Sequence, residues 1–80
     1  MRMAELDRIT TNPKILGGKP CIRGMRISVE RVLDIAATYG NDWIEIRRDF
    51  PDLEPEDIQQ ALWFASRFVP DGPAMIKAAS

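Results

Sequence analysis

The run Leu16-Gly17-Gly18-Lys19-Pro20-Cys21-Ile22-Arg23-Gly24-Met25-Arg26-Ile27 constrains this chain most. Its glycines and its proline are loop and turn signals. The sequence around it is helix-forming. Backbone geometry and charge display therefore shape this segment, and core packing does not. Its cations, Lys19, Arg23 and Arg26, call for an anionic partner. Cys21-Ile22-Arg23 and Arg26-Ile27-Ser28 read as the strands of a tight hairpin around Gly24-Met25. Glycine at the first central position suits a type II′ turn. In such a hairpin Arg23 and Arg26 stand side by side, where like charges are mildly destabilising. Guanidinium forks grip phosphate or carboxylate in two bonds. The pair thus reads as an anion site, against the plainer reading that both extend into water or pair with the chain's own acidic helices. A nucleotide-phosphate loop is excluded, because Pro20 follows the lysine where Ser or Thr must open a helix.

Before this run, Arg8 to Thr11 is β-prone and Asn12-Pro13 ends it with a turn. Three helices are expected after it. Ser28 caps the first, residues 29–39, whose apolar stripe is Val32, Leu33, Ile35, Ala36 and Tyr39, and Gly40 ends it. Asp42 opens the second, through about Asp49, which buries Trp43, Ile46 and Phe50. Glu54-Pro55-Glu56-Asp57 opens the third, with proline at the first helical position and acids at the positive end of the dipole. Its core stripe is read as Ile58, Ala61, Leu62, Ala65, Phe68 and Val69. The expected class is mainly α: a three-helix, helix-turn-helix unit with a short N-terminal β-hairpin arm. Within the 80 residues, 1–7 read as a loose N-terminus, 8–69 as one domain and 70–80 as a flexible tail.

Charge divides the chain. Residues 1–31 hold seven cations against three acids, and residues 32–80 hold four against nine. These are either two solvated faces that attract each other or two binding surfaces of opposite sign. There is no histidine and one cysteine, so the commonest general base and any intrachain disulfide are missing. No enzyme activity, metal or cofactor is expected. Nothing resembles a signal peptide or a membrane span, and the cytoplasm is the expected compartment.

On the third helix Glu56, Gln59, Trp63 and Arg67 fall opposite the core stripe. Trp63 and Arg67 are candidate partner contacts, since an outward indole often anchors an interface; the alternative for Trp63 is that the N-terminal arm or the C-terminal tail caps it. The helix begins with Glu54, Glu56 and Asp57, which repel phosphate, so it is a poor major-groove reader. Contacts to nucleic acid or another anion fall instead to Lys19, Arg23 and Arg26, joined by Arg47 and Arg48.

From Ile9-Thr10-Thr11-Asn12-Pro13, through Gly17-Gly18-Lys19-Pro20 and Gly24-Met25-Arg26-Ile27, to Phe50-Pro51-Asp52-Leu53 and Glu56-Asp57-Ile58, the chain resembles the bacterial domain-of-unknown-function family 433. The resemblance covers about residues 8–66. Met25, Ser28, Asp42 and Glu54 depart from the usual family pattern. The resemblance implies a homeodomain-like helix-turn-helix fold and antitoxins of VapB type, often paired with a PIN-like ribonuclease toxin. Two functions follow as expectations. One is a DNA-binding, dimeric autorepressor acting on operator DNA. The other is a protein-binding module that neutralises the toxin without touching DNA. A homodimer joined through its N-terminal strands is a third arrangement.

Overall fold

A computed structural model of the chain describes residues 6–40 and 42–69. The expectations for residues 1–5 and for the tail 70–80 lie outside this range. The described chain is mainly helical. Strand β1 (Ile9–Thr10) pairs antiparallel with β2 (Cys21–Ile22), Ile9 opposite Ile22 and Thr10 opposite Cys21. Helices α1 (Val29–Tyr39), α2 (Trp43–Asp49) and α3 (Pro55–Ser66) follow. Helix α1 packs on both α2 and α3, and β1 lies against α3.

Local chemistry explains the boundaries. Asn12 turns the chain after β1, its side chain accepting from the Lys14 N–H at 2.9 Å. Ser28 Oγ accepts from the Arg31 N–H at 3.0 Å and caps α1. Gly40 ends α1 at φ 63° and ψ −130°, a combination outside the left-handed helical basin and open essentially to glycine alone. Asp42 caps α2 through the Glu45 N–H at 3.1 Å. Pro55 occupies the first position of α3, where its missing N–H leaves no helical bond unmade.

The core is Ile22, Val29, Val32, Ile35, Ile46, Leu53 and Ala61, with Ile9, Leu33, Tyr39, Trp43, Phe50, Ile58 and Phe64 packed around it. One strand and all three helices therefore contribute to a single cluster. The expected stripes of α1 and α2 face it. That of α3 does so in part, through Ile58 and Ala61. Leu62, Phe68 and Val69 are exposed, whereas Asp57 and Gln60 are buried. The helix also stops at Ser66, before Phe68 and Val69. Polar bonds between the N-terminal arm and Asp57 and Gln60 select the face of α3 that turns inward.

The turn after β2 also differs from expectation. The register of the expected hairpin is present, since Cys21 bridges Ser28 and the Ile22 N–H donates to the Ile27 carbonyl at 3.0 Å. The tight turn, however, is Ile22 to Met25, closed by Met25 N–H to Ile22 carbonyl at 2.8 Å. Its central residues are Arg23 (φ 48°) and Gly24 (φ 71°), not Gly24-Met25. Two successive positive φ values are the pattern of a type I′ turn. Strand β2 pairs mainly with β1, and the ladder extends through the Arg23 N–H to the Arg8 carbonyl at 2.7 Å. Gly24 N–H adds a bond to Thr10 Oγ1 at 2.9 Å.

Candidate functional site

Where the arm meets the start of α3, Asp57 is fully buried with two arginines closed over it. Oδ1 accepts from Arg8 Nη1 at 2.9 Å and from Arg23 Nε at 3.0 Å. Oδ2 accepts from Arg23 Nη2 at 2.8 Å and from the Glu54 N–H at 2.9 Å. Arg8 also pairs with Glu54, and Arg23 Nη2 donates to the Asp52 carbonyl at 2.7 Å. Three residues further along α3, Gln60 Oε1 accepts from the Arg8 N–H at 2.9 Å while its Nε2 donates to Asp7 at 3.0 Å. Arm, turn and helix start are thus sewn together around one carboxylate.

The electrostatics follow from this geometry. Burial opposes the charged form of Asp57, but the hydrogen bonds from Arg23, Arg8 and the Glu54 N–H outweigh it and hold the carboxyl below its ordinary range. Bonds to Glu54 and Asp57 raise Arg8, and the bond to Asp57 raises Arg23, each against a smaller opposing effect of burial. A buried charge is tolerable only when paired and hydrogen-bonded, and Asp57 meets both conditions. Arg23 sits at a positive φ that non-glycine residues seldom adopt. That turn geometry brings its fork onto Asp57.

The residues singled out by sequence therefore separate. Arg23 and Arg26 do not form a two-arginine face, because Arg23 lies inside the turn and folds inward. Arg26 is exposed and makes no ion pair among the described residues. Lys19 is exposed, its Nζ 3.9 Å from Glu30. On α2, Arg47 is exposed and borders a depression shared with Trp43, Pro51, Glu54 and Glu56. Arg48 pairs with Glu45 and approaches Asp49 at 3.8 Å. Trp63 is 39% exposed, and Arg67 stands exposed at the C-cap of α3. Lys19, Arg26 and Arg47 thus remain outward cations, and the fork of Arg23 is committed to the buried Asp57.

Sequence reasoning placed no role on Arg8 or Gln60 and read Asp57 as a surface acid. A signal was present. Asp57 lies one helical turn before Ala61, in phase with the apolar stripe, and an acid there demands cations. The Glu54-to-Asp57 spacing also matches a capping arrangement in which the third helical residue accepts from the cap's own N–H.

Chemically, the site stores no reactive group: its carboxylate oxygens are saturated by donors. Among the described residues no three His, Cys, Asp or Glu side chains are grouped as a metal would require. No helix among them is long and apolar enough to cross a membrane. No curated protein and no solved structure matches the chain. The model of one family, described as "Protein of unknown function (DUF433)", matches residues 9–65, and the chain belongs to that family.

Proposed function

We propose that this chain is an antitoxin-like, protein-binding module that neutralises a PIN-like ribonuclease by covering its basic surface. The observation that carries this reading is the sign of charge at the start of α3. The two arginines nearest that end are occupied by Asp57 and Glu54. Asp52, Glu54 and Glu56 are left exposed. An acidic edge held on a rigid clasp suits the cationic track along which a ribonuclease guides RNA. It disfavours the phosphates of a DNA groove.

The test is co-expression with the product of the adjacent open reading frame. The complex should survive purification, and Asp52→Lys with Glu56→Lys should weaken it and release ribonuclease activity. Neither side chain bonds within the buried clasp, where Asp52 contributes only its backbone carbonyl. Unchanged inhibition by the double variant would remove this reading.

A second reading is a DNA-binding autorepressor on a homeodomain-like helix-turn-helix. Lys14, Lys19 and Arg26, which project from the arm, support it. Promoter affinity should then fall steeply with salt, and Arg26→Ala should flatten that dependence by about one unit of the log–log slope. Absence of any mobility shift, with the partner protein present, would eliminate it.

A further inference from the structure

The outward face of α3 has no partner within the described chain. Leu62 is 52% and Trp63 39% exposed. With Gln59 and Ser66 they line a shallow depression of about 230 Å³. Glu56 and Arg67 flank this stripe, both exposed. At roughly 100° per residue, Glu56 and Arg67 fall on the same edge, the one that also carries Trp63. Along the axis, Glu56 lies about 9 Å before Leu62 and Arg67 about 7.5 Å after it. The edge is therefore negative at one end, apolar in the middle and positive at the other end.

A surface whose charge reverses sign about its own midpoint is complementary to itself. We infer that this face of α3 pairs antiparallel with the same face of a second copy of the chain. A two-fold axis beside Leu62 sets Glu56 against Arg67 of the second copy, twice by symmetry. The same axis brings Leu62 across from Leu62 of the second copy and Trp63 close to Trp63 of the second copy. The depression between Leu62 and Trp63 receives an apolar side chain from the other helix, as ridges enter grooves in helix packing. Antiparallel helices also oppose their dipoles favourably. Such a contact is isologous and closes at two copies. This pairing shares Glu56 with the acidic edge but uses neither Asp52 nor the clasp, and Leu62→Gln, which leaves that edge intact, separates the two.

Sedimentation of the full chain over a concentration series tests it. The wild type should pass from monomer to dimer, and Leu62→Gln should shift the midpoint at least tenfold. At concentrations where both proteins are monomeric, its helical circular dichroism and melting temperature should match the wild type, since Leu62 is half-exposed. Glu56→Arg makes the edge wholly basic and Arg67→Glu makes it wholly acidic. Each alone should weaken self-association about tenfold, two like-charge pairs replacing two opposite ones. Mixed together, the two variants should pair with each other at least as well as the wild type does with itself. A wild type that is monomeric at every concentration overturns the proposal, even where the same face captures a foreign protein. A dimer indifferent to Leu62→Gln overturns it as well. Failure of the mixed variants to pair overturns the antiparallel register.

Discussion

The two ends of α3 invert the usual rule of what a helix buries. Its first turns bury a carboxylate and an amide, Asp57 and Gln60, while its last turns expose Leu62 and Trp63. The inward polar groups are satisfied within the chain by Arg8, Arg23, Asp7 and the Glu54 N–H. The outward apolar groups keep 52% of Leu62 and 39% of Trp63 open. Buried polarity at one end is thus internal architecture, and exposed apolar surface at the other is material for association. Substitutions of the buried Asp57 and Gln60 should change stability and leave association alone. Those of Leu62 and Trp63 should do the reverse.

Asp57→Ala should give the largest effect. Removing one partner of a buried ion pair typically costs about 3–5 kcal/mol. Because Arg8 and Arg23 are each partly open to water, the lower end of that range is expected, read as a lowered denaturation midpoint. Acid should act on the same group. Its folded pKa lies below the unfolded value, so its contribution is complete above the ordinary carboxylate range and is lost as pH falls through the folded pKa. The melting temperature should therefore drop below about pH 4, and more steeply for the wild type than for Asp57→Asn. Equal acid sensitivity of the two proteins would remove Asp57 as the responsible group.

Arg23 comes next, and it separates charge from backbone. Arg23→Ala removes the fork from Asp57 and keeps a side chain at φ 48°. A loss of about 2 kcal/mol is expected, the range for hydrogen bonds to charged groups. Arg23→Gly removes the same fork but relieves the left-handed conformation, which disfavours L-residues by roughly 1–2 kcal/mol. The glycine variant should therefore be the more stable of the two by about 1 kcal/mol. If alanine matched or exceeded glycine, the positive φ would carry no strain.

These substitutions also mark where the sequence was legible. The caps at Ser28 and Asp42 and the proline at the first position of α3 act within a few residues, so the boundaries of α1 and the starts of α2 and α3 follow from local chemistry. The outward placement of Glu56, Gln59, Trp63 and Arg67 follows from helical period alone. The inward turn of the flank carrying Asp57 and Gln60 was not legible, because apolar residues surround the second half of α3 and leave the edge of its stripe ambiguous. Contacts from Arg8 and Arg23, 49 and 34 positions away from Asp57, decide which side turns in. The hairpin failed for a similar reason. Register was readable from the alternation about residues 21–28, but an arginine at positive φ runs against intrinsic preference, and only its partner on another element makes it favourable.

Gln60 gives a smaller step at the same end. Gln60→Ala leaves the Arg8 N–H and the Asp7 carboxylate without their partner, a loss of about 1–2 kcal/mol. The readout is hydrogen exchange at Arg8, which should quicken more than exchange in α1. Uniform acceleration across the chain would mean that the arm does not open as a separate unit.

Trp63→Ala should have the smallest effect on folding and so tests the comparison most sharply. An outward side chain free of caps and buried bonds usually changes stability within about 0.5 kcal/mol. Its truncation should leave the denaturation midpoint almost unmoved. Self-association, by contrast, should weaken by at least tenfold, because truncating a central aromatic often removes more than 1 kcal/mol of an interface. A large loss of folding stability would instead assign Trp63 to the fold of its own chain, and the two ends of α3 would then differ only in polarity and no longer in purpose.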